Sequence, residues 1–279
     1  MKPMSLLRSK GVLLSTMVFM VLLALPSVSL AGGNALIVHD GTAGIEADAL
    51  GNLTAKLTAA SFVVTPSVGV PGGSLASFKE IWDIRFNNTT PLTASDNAAY
   101  QTFVQGGGSL FLMGENIGFA VRDNSILGLI ALLGGGILSL SPISPQNTET
   151  ILPPFTGPNA LSTVTFLAAA STIAPGFGAN IANDGAGLSA GLVFGPGTLS
   201  NAKAGAVIIV WDVNFMQAGA DANSQTFLAN LIAYLNAPTV INAGPSSVPL
   251  PPTVILVLTG ILGILMFLTV RRMKGRVTI

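Results

Sequence analysis

Three short stretches of this chain are apolar without interruption, and each stops at polar residues: 35–38 ahead of His39 and Asp40, 110–113 ahead of Gly114, Glu115 and Asn116, and 204–211 ahead of Asp212 and Asn214. Runs of that length predict strands covered on both faces, as in a parallel sheet. Helical spacing fills the intervals. Ala49, Leu50, Leu53, Leu57 and Ala60 predict a helix over 46–61, and Phe227, Leu228, Leu231, Ile232 and Leu235 predict one over 222–235. A third helix starts at Thr93 or Ser95, carries Ala98, Ala99, Tyr100, Phe103 and Val104, and stops at Gly106, Gly107 and Gly108. That glycine turn leads straight into the run at 109–113, the pattern of a parallel crossover. The fold class is therefore α/β, a parallel sheet with helices on both faces.

Two stretches are less regular. Residues 80–86 alternate Ile81, Asp83 and Arg85 with Trp82, Ile84 and Phe86, which predicts a strand with one polar face at or near a sheet edge. A short strand at 62–66 precedes it. Residues 125–140 are apolar but short and glycine-rich, which predicts a buried helix followed by a turn rather than a membrane span. Residues 141–197 hold short β-like runs at 162–167 and 188–194 between Pro, Gly and Asn loops, and predict a small antiparallel elaboration.

Both ends of the chain differ from its middle. Lys2, Arg8 and Lys10 precede an apolar stretch at 11–25, and Ser29 and Ala31 offer the small residues of a leader-peptidase site. Residues 1–31 thus predict a signal peptide cleaved after Ala31, the alternative being an uncleaved N-terminal anchor. At the other end a proline knot (Pro249, Pro251, Pro252) is followed by an uncharged run over 254–270 and then by Arg271, Arg272, Lys274 and Arg276. About 17 apolar residues span about 26 Å, enough for a thin bilayer core. Cations directly after the run hold that end in the cytoplasm, so the rest of the chain lies on the far side. The predicted organisation is a leader at 1–31, an α/β domain at 32–238 with its elaboration near 141–197, a linker at 239–252, a transmembrane helix at 253–270 and a basic end at 271–279.

Removing the ends changes the charge balance. The formal net charge of zero conceals a middle with five cations against all twelve carboxylates, a net of −7. An acidic domain without a basic stripe is a poor partner for nucleic acid. The absence of Cys excludes disulfides, thiolate metal sites and a cysteine nucleophile. Ligands of open α/β sheets bind beyond the carboxyl ends of the strands. The polar residues expected there are His39, Asp40, Arg85, Glu115, Asn116, Asp212 and Asn214, a candidate pocket rim. Strand ends turn polar in any such domain, so the same residues also serve as helix caps. His39 is the single histidine, and an exported hydrolase or carbohydrate-active enzyme would have to use it together with Glu115 or Asp212. The one G-x-S-x-G string, centred on Ser189, lacks the strand-to-helix context of a nucleophile elbow. Asp40, Glu115 and Asp212 could offer oxygens to a cation, but no calcium-loop spacing supports that. Neither a cofactor, nor a metal, nor a catalytic residue is assigned.

The tail, read as Val248, Pro249, Leu250 and Pro251, an apolar helix and an Arg-rich end, resembles the PEP-CTERM class of bacterial sorting signals in its VPLPA-like variant. The resemblance implies signal peptidase and an exosortase as partners, brief residence in the inner membrane, and delivery to the cell surface or extracellular matrix, with extracellular polysaccharide as a further partner. A permanent single-span anchor is the alternative. The series IVHDG, YQTFVQGGGSLFLMGEN and GAVIIVWDVNF resembles the non-catalytic branch of the class I glutamine amidotransferase-like superfamily. It implies a flavodoxin-like sheet, with Glu115 or Asn116 near the place of the nucleophilic Cys, so amidotransferase activity is not implied.

Overall fold

The computed structural model describes residues 32–41, 44–141 and 147–237. Its centre is a seven-stranded sheet. Strands β1 (Asn34–His39), β2 (Val63–Val68), β3 (Glu80–Asp83), β4 (Ser109–Met113) and, after seven further short strands, β12 (Ala206–Val210) run parallel in the order β2-β1-β3-β4-β12. β11 (Gly191–Phe194) and β9 (Ala179–Asn180) extend the sheet antiparallel beyond β12. The elaboration thus completes the central sheet at one edge. Its other strands form two small antiparallel sheets: β5 (Leu138–Leu140) with β8 (Thr172–Pro175), and β10 (Ala182–Asn183), β6 (Asn147–Ile151) and β7 (Thr163–Phe166) in the order β10-β6-β7.

Side chains alternate across the sheet as the pleat requires. Ala35, Ile37, Phe111, Met113, Ile208 and Val210 pack on one face with helices α1 (Gly44–Ala59) and α4 (Ala222–Asn236). Leu36, Val38, Leu110, Leu112, Val207 and Ile209 pack on the other with α2 (Ala94–Gln105) and α3 (Ala120–Leu132). Helices on opposite faces after β1 and β3 make the gap between those strands the point where the winding reverses, and all four helices begin at the carboxyl ends of the strands. Helix α2 opens with a capping box, Thr93 Oγ1 accepting from Asp96 N and Asp96 Oδ2 accepting from Thr93 N, both at 3.1 Å.

One strand is not where its pattern put it. β3 lies in the middle of the sheet between β1 and β4, and every residue in it is buried. The polar alternation that suggested an edge comes from an internal charge cluster. Asp83 has no exposed surface; Arg85 Nη2 reaches it at 2.7 Å, Arg122 Nη2 from α3 lies 3.0 Å away as an ion pair, and Tyr100 from α2 donates to it at 2.9 Å. Among the described residues no helix is long and apolar enough to cross a membrane. The leader, the sorting motif at Val248–Pro251, the run at 254–270 and the basic end lie outside them. The chain divides into two compact units, 1–239 and 240–279, and the described residues all belong to the first.

Candidate functional site

The carboxyl ends of β1, β3, β4 and β12 bring the predicted rim residues to one end of the sheet, where their polar atoms are committed to holding loops. After β4, Glu115 is nearly inaccessible. Its Oε1 accepts Asn116 N at 3.0 Å, and its Oε2 reaches across to accept Val213 N, beyond β12, at 3.2 Å. Asp212 is fully buried and accepts Asn214 N at 2.7 Å, Asn214 Nδ2 at 2.8 Å and Leu167 N at 2.6 Å. Burial, then the neighbouring Asp212 carboxylate, push Glu115 up to about 7, and burial raises Asp212 as well. Asp123 at the start of α3, which accepts Glu115 N at 3.0 Å, is raised by burial to about 7. Two adjoining carboxyls with elevated affinity for protons would suit acid–base work if they faced open space. Here their lone pairs face backbone N–H groups.

After β1, His39 Nδ1 bonds the Gly41 carbonyl at 2.8 Å, a contact within its own loop. Asp40 accepts Thr90 Oγ1 at 2.9 Å, and its N–H donates to Glu46 Oε1 at 2.8 Å. Burial first, and Asp40 next, push Glu46 up to about 8. Arg85 is removed from the rim by its hydrogen bonds to Asp83 and Asp96. Asn116 instead caps the short 3₁₀ turn Ile117–Phe119, its Oδ1 accepting Gly118 N at 2.9 Å. Glu46, Asp123 and Arg122 were not singled out from the sequence, nor was Asn88, whose Oδ1 accepts Val121 N and Arg122 N at the start of α3. Glu46, Arg122 and Asp123 sit in helices with no local pattern marking them as buried, and Asn88, half-buried, sits in the loop before α2.

Two clefts remain. One of about 500 Å³ opens at the carboxyl end between the start of α1, the end of β7 and the loop after β12, lined by Asp48, Thr165, Leu167, Asn214, Gln217 and Asp221. Of the seven predicted rim residues Asn214 is the one in its lining. The other, about 370 Å³, lies at the amino end between the loop before β3 and α2, lined by Leu75, Phe78, Phe103 and small residues. Among the described residues no group of three or more His, Asp and Glu could hold a metal ion. Ser189 of the G-x-S-x-G string is fully buried and donates to the Gly191 carbonyl at 2.7 Å as β11 begins, so the string is a strand entry and no elbow.

No protein family and no curated protein matches the chain. Solved structures do. The mmIFT52 N-terminal domain is similar over 74% of this chain and 99% of its own, with a TM-score of 0.56 at 9% identity. The exo-beta-1,4-mannosidase Op5Man5 from Opitutaceae bacterium strain TAV5 aligns with 82% of this chain and 39% of its own, with a TM-score of 0.49 at 12% identity. A putative ThuA-like protein from Parabacteroides merdae ATCC 43184 aligns with 77% of this chain and 94% of its own, with a TM-score of 0.46 at 10% identity. At these identities the first likeness is one of fold, a mixed α/β domain built on a mostly parallel sheet, and it extends to no activity.

Proposed function

We propose that the chain is an exported bacterial surface or extracellular-matrix protein, sorted by a PEP-CTERM-type tail that an exosortase removes, and that its α/β domain is a non-catalytic member of the flavodoxin-like, glutamine amidotransferase-like group. The observation that carries the proposal is the ordered tail: Val248, Pro249, Leu250 and Pro251, then an uncharged apolar run, then Arg271, Arg272, Lys274 and Arg276, opposite a basic and apolar leader. The strand order β2-β1-β3-β4-β12, with the switch between β1 and β3, supports the finer fold assignment. The commitment of Glu115 and Asp212 to backbone N–H groups, and of His39 to its own loop, supports a binding or structural role over bond-breaking chemistry.

The deciding experiment is the mass of the mature protein from a surface fraction of cells that carry the matching exosortase. A species beginning after Ala31 and ending near Pro249 is expected. Intact chain held permanently in the inner membrane would make the tail an ordinary anchor and end the sorting proposal.

A further inference from the structure

Charge in the domain is divided between the two ends of the sheet. All three lysines of the described residues lie at the amino end: Lys56 in the last turn of α1, Lys79 just before β3, and Lys203 in the loop before β12. Lys79 also donates through Nζ to the carbonyl and side chain of Asn236, where α4 finishes. The acids that reach solvent lie at the other end. Asp40 follows β1, Asp48 opens α1, Asp221 caps α4, and Asp184 lies in the loop entering β11 beside the carboxyl end of β12. Glu80 is the acid at the amino end; it is fully buried, and burial pushes it up to about 8, so it adds little negative field at neutral pH.

Two further features share the lysine end. The described domain begins there, at Gly32 ahead of β1, and finishes there, at Ala237 after α4, so both predicted membrane-seeking segments join the same face. Ile137, 89% exposed, and Phe177, 66% exposed, project from adjoining turns in which Phe177 N donates to Gly135 O at 2.8 Å. Gly134 in the same turn accepts Ser200 N, close to Lys203. Apolar exposure by itself does not choose between the ends, since Val68 and Val121 are exposed at the carboxyl end. Nor does tethering: a linker over 239–252 reaches at most about 50 Å, which confines the domain near a bilayer without orienting it. Charge makes the choice, because lysines near an anionic surface are attracted and carboxylates are repelled.

From this we infer that the amino end of the sheet, with Lys56, Lys79, Lys203, Ile137 and Phe177, is a docking face for an anionic phospholipid surface. It holds the acidic carboxyl rim and its cleft away from the membrane while the tail is embedded. The inference deepens the sorting proposal and rests on its placing the domain beside a membrane.

The absence of Cys allows a clean test with the full chain. A fluorophore is placed at Ile137→Cys or, at the opposite end, at Gly219→Cys, where an added side chain meets nothing within 4 Å. The chain is mixed with vesicles of phosphatidylglycerol and phosphatidylethanolamine, or of phosphatidylcholine alone, each carrying a headgroup quencher. The inference expects quenching several-fold greater at position 137 than at 219 in the anionic vesicles. That contrast should vanish in phosphatidylcholine, in a Lys56→Glu, Lys203→Glu background whose thermal melt is unchanged, and on raising salt from about 0.1 M to about 1 M, which shortens the screening length from about 10 Å to about 3 Å. Equal quenching at both positions, or the same contrast in neutral lipid, overturns it. Binding of soluble alginate without a vesicle contrast would assign the face to an acidic polysaccharide and overturns the lipid inference too. Flotation of the full chain with neutral vesicles reports tail insertion separately, so a failed tail and a failed face give different results.

Discussion

Arg122 Nη2 lies 3.0 Å from Asp83 Oδ1 with both side chains wholly shielded from solvent, which joins α3 to the interior strand β3 through charge. Burial pushes the Asp83 carboxyl up, but the Arg122 charge and the Arg85 hydrogen bonds outweigh it and hold the group below the ordinary carboxylate range. Removing one member of such a cluster strands the others without counter-charge. Asp83→Asn should therefore cost about 3–5 kcal/mol, read as a fall in the urea midpoint. Arg122→Met should cost less, because Asp83 keeps Arg85 at 2.7 Å. Equal losses for the two variants would show that the cluster does not centre on Asp83.

Stability should fall as pH rises through neutrality. Burial is the leading cause that pushes Glu46 and Glu80 up to about 8, and Glu115, Asp123 and Glu149 up to about 7. A carboxyl with a raised folded-state pKa keeps a proton that the unfolded chain has released, so the folded state binds more protons and ∂ΔG/∂pH of unfolding is negative. The contribution is fully present below the ordinary values, 4.5 for the glutamates and 3.8 for Asp123, and is lost progressively as pH rises to 7 to 8. Each retained proton steepens the slope by up to about 1.4 kcal/mol per pH unit. Thermal melts between about pH 5 and about pH 9 should show a declining Tm; a Tm that rises over that window would contradict the protonated carboxyls. Depressed Asp83 acts in the opposite sense and limits the gain at the acid end.

Glu80 isolates one member of that set. Its Oε1 accepts Trp82 Nε1 at 3.1 Å, and its Oε2 is buried with no partner. Glu80→Gln keeps the acceptor and removes the ionisation. Its Tm should match the parent near pH 6 and exceed it near pH 9, a difference that an exposed glutamate would not produce.

Two of the three glycines after α2 have separate duties. Gly107 adopts a φ of +94°, and a Cβ on Gly108 would lie 2.3 Å from the Phe103 ring. Gly108→Ala should cost about 1–3 kcal/mol as an overpacked contact. Combining it with Phe103→Leu should restore part of the loss, measured as a coupling energy in a double-mutant cycle. Strict additivity would mean that the ring is not the obstacle.

For the tail, replacing Pro249 and Pro251 together should block processing in cells while leaving the melt of the domain unchanged. Unaltered processing of that variant would count against recognition of the motif.

How much of this was legible beforehand follows from where the information lies. The runs at 35–38, 109–113 and 204–211, the spacing of Phe227, Leu228 and Leu231, and the Thr93 cap are local patterns. Period and capping act within a few residues, so they fixed the α/β class, the parallel crossovers and most element positions. The expected leader and the proposed sorting tail are likewise read from linear patterns. What the sequence could not place was β3: alternation at Asp83 and Arg85 reads as a solvent face, and the residue that makes burial tolerable, Arg122, belongs to a helix that packs beside it only after folding. The same holds for the rim. Composition and strand ends identified Glu115, Asp212 and Asn214 as neighbours at one end, but only the tertiary structure decided that Glu115 and Asp212 are saturated by Val213 N and Leu167 N. Hydrogen-bond saturation is a property of three-dimensional geometry and has no one-dimensional period. The separation of lysines from solvent-reaching acids is likewise invisible in order along the chain, because alternating strands and helices return to the same two ends again and again.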